Sequence, residues 1–143
     1  MEKTEKIQKI IIHTDGGSRG NPGPAACGVV INLGDRVEEI SEFIGVATNN
    51  IAEYSAVVKA LEWVKENIKD DVEIDFFLDS QLVVEQLNGN YKMKNEGLKP
   101  LFWQIRGLMM DLGGQINFSY VPREQNKEAD ALVNKALDNQ NGV

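Results

Sequence analysis

The reading of the fold turns on residues 7–32, Ile7 to Asn32, which run IQKIIIHTDGGSRGNPGPAACGVVIN. Three consecutive isoleucines, Ile10 to Ile12, followed by β-branched Thr14, mark Ile7–Thr14 as a strand. Ala25–Asn32 is a second strand, largely apolar and therefore central in its sheet. The stretch between them, Asp15 to Pro24, is rich in Gly and Pro and has no room for a crossover helix, so it reads as a tight hairpin joining antiparallel strands.

Outward from that hairpin, Gly34-Asp35 signals a second turn. Arg36–Val46 alternates Val37, Ile40 and Phe43 with Glu38, Glu39 and Glu42, the pattern of a half-exposed edge strand whose acids discourage sheet-to-sheet association. The period then changes. Thr48 or Asn49 caps a helix running to about Asn67, with Ala56, Val57, Ala60, Leu61, Val64 and Ile68 as its apolar stripe. Val72–Leu78 is a strand, Ser80–Leu87 a short helix stopped by Asn88-Gly89-Asn90, and Leu98–Leu112 a helix ended by Gly113-Gly114. Gln115–Val121 is the last strand and Asn126–Leu137 the last helix. Trp63 and Trp103 fall mid-helix and are expected in the core. Three strands followed by helix, strand, helices, strand and helix predict an α/β fold. Its mixed five-stranded sheet is an antiparallel meander continued by parallel strands through right-handed crossovers, flanked by helices.

The chain of 143 residues fits one domain, 1–143, with residues 1–6 and 139–143 expected to fray. Apolar residues at 42% and charged residues at 26% exclude a disordered, collagenous or disulfide-built chain. A net charge of −7 argues against a general nucleic-acid glue, because most of the surface repels phosphate; binding would need a local patch or bound metal. One cysteine, Cys27, rules out an internal disulfide and suits a reducing compartment. The polar start, with no apolar run, and the lack of a spanning segment point to a cytoplasmic protein with no membrane contact, expected to be a monomer.

Four carboxylates stand in unusual places. Glu53 lies three, four and seven residues before Ala56, Val57 and Ala60, on the apolar stripe of its helix. Asp15 and Asp79 end strands at carboxyl ends, where open α/β sheets bind ligands. Asp130 is in the first turn of the last helix, three residues before Val133, and can face the same edge. Any one of them has an ordinary explanation as a helix cap or a first-turn acid. Four at one edge repel one another unless a positive charge lies between them. Oxygen ligands with no obvious Lys or Arg partner suit a hard divalent cation, Mg²⁺ or Mn²⁺. The single histidine, His13, and the single cysteine cannot build a zinc site, and His13 inside a strand is best read as packing.

These motifs resemble type 1 ribonuclease H. The match runs through His13-Thr14-Asp15-Gly16-Gly17-Ser18-Arg19-Gly20-Asn21-Pro22-Gly23-Pro24, Thr48-Asn49-Asn50-Ile51-Ala52-Glu53-Tyr54, Leu78-Asp79-Ser80-Gln81 and Asn126-Lys127-Glu128-Ala129-Asp130. In order and spacing it spans Lys9 to Leu137. The resemblance implies endonucleolytic cleavage of the RNA strand of an RNA/DNA hybrid to 5′-phosphomonoester products. It also implies two Mg²⁺ or Mn²⁺ ions held by Asp15, Glu53, Asp79 and Asp130. Asn21, Asn49 and Gln81 would read the 2′-hydroxyl, helped by Gly16 and Ser18 of the Gly-rich loop, and Thr48 would hold a DNA-strand phosphate.

Three departures accompany the match. The loop Pro122-Arg123-Glu124-Gln125 carries no histidine, leaving Arg123 as the candidate to help product leave, as in archaeal-like members. The stretch Tyr91 to Lys99 is brief and holds only three lysines where many relatives carry a basic insertion. Val46 stands where relatives often place an arginine for phosphate. These imply modest, salt-sensitive activity. The alternatives are a catalytically weak nucleic-acid-binding module on the same fold and a nuclease of broader substrate range such as double-stranded RNA. The first has no use for four clustered acids facing phosphate; hydroxyl-reading asparagines argue against a DNA-only form of the second.

Overall fold

The computed structural model describes residues 9–141. The expected frayed residues 1–6, the first two residues of the expected first strand and the last two residues of the chain lie outside that range. The elements are β1 (Lys9–Ser18), β2 (Gly23–Asn32), β3 (Val37–Ala47), α1 (Asn49–Asn67), β4 (Glu73–Leu78), α2 (Gln81–Leu87), α3 (Lys99–Leu112), β5 (Ile116–Tyr120), a 3₁₀ turn (Arg123–Gln125) and α4 (Lys127–Asn141).

The five strands form one sheet in the order β3-β2-β1-β4-β5, with β3 at an edge as its alternating acids predict. β1 pairs antiparallel with β2, and β2 with β3. β4 runs parallel to both β1 and β5. The sheet is the expected meander continued by parallel strands. Ile10, Ile12, Val29, Ile31, Ile74, Phe76 and Leu78 pack one face of it against Tyr54, Val57, Leu61 and Val64 of α1 and Ile105 of α3. On the other face α4 lays Ala129, Leu132, Val133, Ala136 and Leu137 over Ala26 and Val30. No described helix is long and apolar enough to cross a membrane.

Two expectations need correction. α4 does not end at Leu137 but continues to Asn141, and Asp138 in the added turn pairs with Arg19 of the first hairpin at 2.7 Å. The polar composition of that turn hides the helix because it faces solvent. Trp103 is 65% exposed rather than core. α3 buries Ile105 and Leu108, and position 103 lies on the opposite side of the helix from that stripe. Trp63 is half-buried and does pack against the core.

The sheet sets where the chemistry can sit. The parallel ladder between β1 and β4 ends at the pair Thr14 and Leu78. Asp15 and Asp79 are the next residues of the two chains, so both carboxylates emerge where the parallel strands stop. Asp15 does not end its strand, however; β1 continues to Ser18 on the strength of its antiparallel partner β2.

Candidate active site

Thr48 caps α1, its hydroxyl accepting the Ile51 N–H at 3.2 Å, and so fixes the first turn that carries Glu53. That turn lies directly on β1. A Cβ added to Gly16 would fall 2.2 Å from the Ala52 carbonyl and 2.4 Å from the Glu53 nitrogen, so only glycine admits the helix here. The Gly16 N–H donates to Glu53 Oε1 at 2.6 Å. The sequence reading expects the Gly-rich backbone to approach a ligand; at Gly16 the neighbour it admits is α1. Gly28 plays the matching part for α4. Its added Cβ would lie 2.1 Å from the Ala129 carbonyl, one residue before Asp130, and Gly28 is the β2 partner of Asp15. Both helices that carry a candidate acid are therefore seated backbone-to-backbone on the sheet.

The result is a crowded acidic cluster. Asp15, Glu53 and Asp79 each offer a carboxylate oxygen, and these oxygens all lie within 4.8 Å of one another. Asp15 and Glu53 are buried at 8% and 7% exposure and Asp79 is half-buried. Asp130 lies outside that group of three but near enough for its charge to raise the Asp15 carboxyl further. Burial and the Asp79 charge, with Asp130 beside it, push the Asp15 carboxyl up from 3.8 to about 7. Burial and the charges of Asp15 and Asp79 raise Glu53 well above its ordinary value, against the pull of the Gly16 N–H. Asp79 is also raised, chiefly by burial, although hydrogen bonding from Asn126 and the Arg123 charge act the other way. Among the described residues, none of the six ion pairs involves these four acids. Arg123 on the exposed 3₁₀ turn is a cation whose charge reaches Asp79 without forming an ion pair with it.

This donor set fits a hard divalent cation. Its ligand atoms are carboxylate oxygens, converging and short of positive charge, and at neutral pH a dication would relieve their repulsion.

Next to the cluster lies a polar network. Asn49 is the first residue of α1, not its cap, and its Oδ1 accepts both the Ser18 N–H at 2.9 Å and the Ser18 hydroxyl at 3.2 Å. The Asn49 N–H donates to Asn21 Oδ1 at 3.0 Å. These bonds fix the oxygens of both exposed amides, and among the hydrogen bonds of the described residues their NH₂ groups have no partner. Gln81, at the start of α2, is exposed, and Ser80 caps that helix by accepting the Val83 N–H. Val46 is 74% exposed at the end of β3. His13 packs on Phe77 with ring centres 5.2 Å apart, and burial lowers its pKa, consistent with a packing role.

The sequence reading passed over two residues that build this site. Gly28 looks like any small residue in an apolar strand. Asn126 is read there only as the first residue of the last helix and a member of the matched motif, with no role of its own; it is 1% exposed and donates its side chain to the Thr14 carbonyl at 2.9 Å.

The chain matches a family model described as reverse transcriptase-like over residues 13–136. It is 41% identical over 134 residues to a bifunctional protein of Mycobacterium tuberculosis, covering 91% of this chain but 36% of that protein. It spans about a third of the length of that relative. It is 36% identical over 146 residues to a ribonuclease H of Ruthia magnifica, covering 92% of this chain and 97% of that one. Among solved structures it is similar to LC11-RNase H1 in complex with an RNA/DNA hybrid. The TM-score is 0.87 and the identity 44%, over 92% of this chain and 98% of that one.

Proposed function

Because the chain belongs to the type 1 ribonuclease H family, we propose that it is a metal-dependent endonuclease that hydrolyses the RNA strand of RNA/DNA hybrids. The observation that carries this is the convergence of Asp15, Glu53 and Asp79 just past the end of the parallel ladder, with the Asp130 charge within reach of Asp15. The complex of LC11-RNase H1 with a hybrid supports the substrate class.

In this reading Asp15, Glu53, Asp79 and Asp130 hold two Mg²⁺ or Mn²⁺ ions. The chemistry such a pair supplies is activation of water and stabilisation of the leaving 3′ oxygen, which gives 5′-phosphate products. The protein's own part is to keep the acids in place before the substrate arrives. The Gly16 N–H orients Glu53, and the seat of α1 on Gly16 fixes its depth. The NH₂ groups of Asn21 and Asn49 donate to 2′-hydroxyl oxygens, which a DNA strand lacks. Ser18 is spent in orienting Asn49. Thr48 accepts through its hydroxyl oxygen and keeps its O–H to donate to a DNA-strand phosphate. Gln81, exposed at the start of α2, adds a further hydroxyl contact. Arg123, whose charge reaches Asp79, is assigned to meet the cleaved phosphate and assist release.

The acids are tested by substitution. Asp15→Asn and Asp79→Asn should each lower hybrid cleavage by roughly 10²-fold or more in saturating Mg²⁺, the scale of removing one charge-stabilising group. Near-full activity in both variants would remove the cluster from the reaction.

A further inference from the structure

Asn126 immediately precedes α4, and asparagine is among the preferred residues for capping a helix start. A capping side chain turns its oxygen to the free N–H groups of the first turn. Asn126 does not. Its backbone, at φ −128° and ψ 28°, is outside the extended conformation of a cap, and its Oδ1 is buried without a partner. The side chain instead directs its NH₂ group toward the sheet. One N–H reaches the Thr14 carbonyl at 2.9 Å across 112 residues of sequence, and the group lies close enough to the Asp79 carboxylate to favour its charged form. Its main chain serves two more partners: the N–H donates to the Arg123 carbonyl at 2.9 Å, and the carbonyl accepts the Asp130 N–H at 3.1 Å. A buried acceptor left unpaired is costly. The orientation that incurs this cost is the one that lets a single carboxamide hold the end of β1 while facing Asp79, where the β1–β4 ladder ends.

We propose that Asn126 is a positioning residue: it ties the end of β1 at Thr14–Asp15, the Asp79 carboxylate, the Arg123 turn and the first turn of α4 into one unit, so that the acids of the cluster keep one geometry. The proposal rests on the reading of those acids as the metal-holding set. Residues that hold ligands in place from behind typically change metal affinity or activity by 10–100-fold when removed.

The test uses the full chain, with Asn126→Ala and Asn126→Ser. Serine can still cap α4 but is too short to reach Thr14 and Asp79 together. Two readouts are taken: kcat and KM on a labelled RNA/DNA hybrid, and the half-saturating Mg²⁺ concentration for the rise in melting temperature without substrate. Both variants are expected to lower kcat by about 10–100-fold with hybrid KM within about twofold, and to raise the Mg²⁺ half-point by a similar factor. Should the alanine variant not fold, the serine variant carries the test alone. Parent-like kcat and Mg²⁺ half-point in a folded variant would overturn the proposal, leaving Asn126 a structural link. Asp79→Asn, run alongside, separates the two readings. If it stays active, the assignment of the acids fails. If it is inactive while the Asn126 variants match the parent, only the role of Asn126 fails.

Discussion

A carboxylate such as Asp15 has two reasons to keep its proton, burial and the nearby Asp79 charge, and they hold its folded pKa at about 7 against an ordinary 3.8. The folded state then binds this proton more tightly than the unfolded state does. Below about pH 4 both states are protonated and the crowding costs nothing. As pH rises toward 7 the unfolded chain releases the proton first, and folding stability falls. Above about 7 both states are ionised and the full penalty remains. Replacing Asp15 with Asn removes this contribution. In chelator, Asp15→Asn should melt close to the parent at pH 4 and increasingly above it as pH rises, by roughly 4 °C or more at pH 8. Excess Mg²⁺ should then raise the parent's melting temperature more than the variant's, because only the parent keeps the whole donor set. Melting curves across this pH range check both halves. A variant that melts below the parent at pH 8, with equal Mg²⁺ effects on the two, would mean that the acids do not act as one cluster.

At the scale of elements, each candidate acid is delivered by a different one: β1, α1, the end of β4 and α4. The 3₁₀ turn adds Arg123, on an exposed surface and within electrostatic reach of Asp79. If Arg123 assists the leaving product, Arg123→Ala should lower kcat by roughly tenfold with hybrid KM little changed, because the lost contact is made after binding. A raised KM at constant kcat would instead make Arg123 an ordinary phosphate contact. Much of this arrangement is legible in the sequence. Glu53 betrays itself by standing on an apolar stripe, and Asp15 and Asp79 by following strand-like runs of Ile and Phe. What hides is whatever depends on two distant segments meeting. Gly28 reads as a small strand residue until α4 is seen resting on it. Asn126 reads as one more polar residue at the start of the last helix until its amide is found on Thr14. Trp103 reads as core because an aromatic in a helix is usually buried, whereas the buried stripe of α3 runs down its other side. The last turn of α4 is polar and solvent-facing, so no apolar period marks it.

For the molecule as a whole, the acidic net charge and the phosphate-rich substrate are reconciled by concentrating the function at one sheet edge. The four candidate acids and the amides of Asn21 and Asn49 lie around that edge, while Glu38, Glu39 and Glu42 sit on the far strand β3. Two dications held by the four acids would nearly cancel the charge of the cluster, so that phosphate could approach there although the chain carries −7. In the proposed function this edge cuts RNA paired to DNA, and only with a divalent metal. The most direct measurement labels the two strands of one hybrid separately and follows both with the parent protein in Mg²⁺, in Mn²⁺ and in chelator, beside double-stranded RNA and double-stranded DNA. The expected result is internal cuts in the RNA strand of the hybrid with either metal, an intact DNA strand, intact double-stranded DNA and no cleavage in chelator. Cleavage that persists in chelator, or a hybrid left whole in both metals, would contradict it.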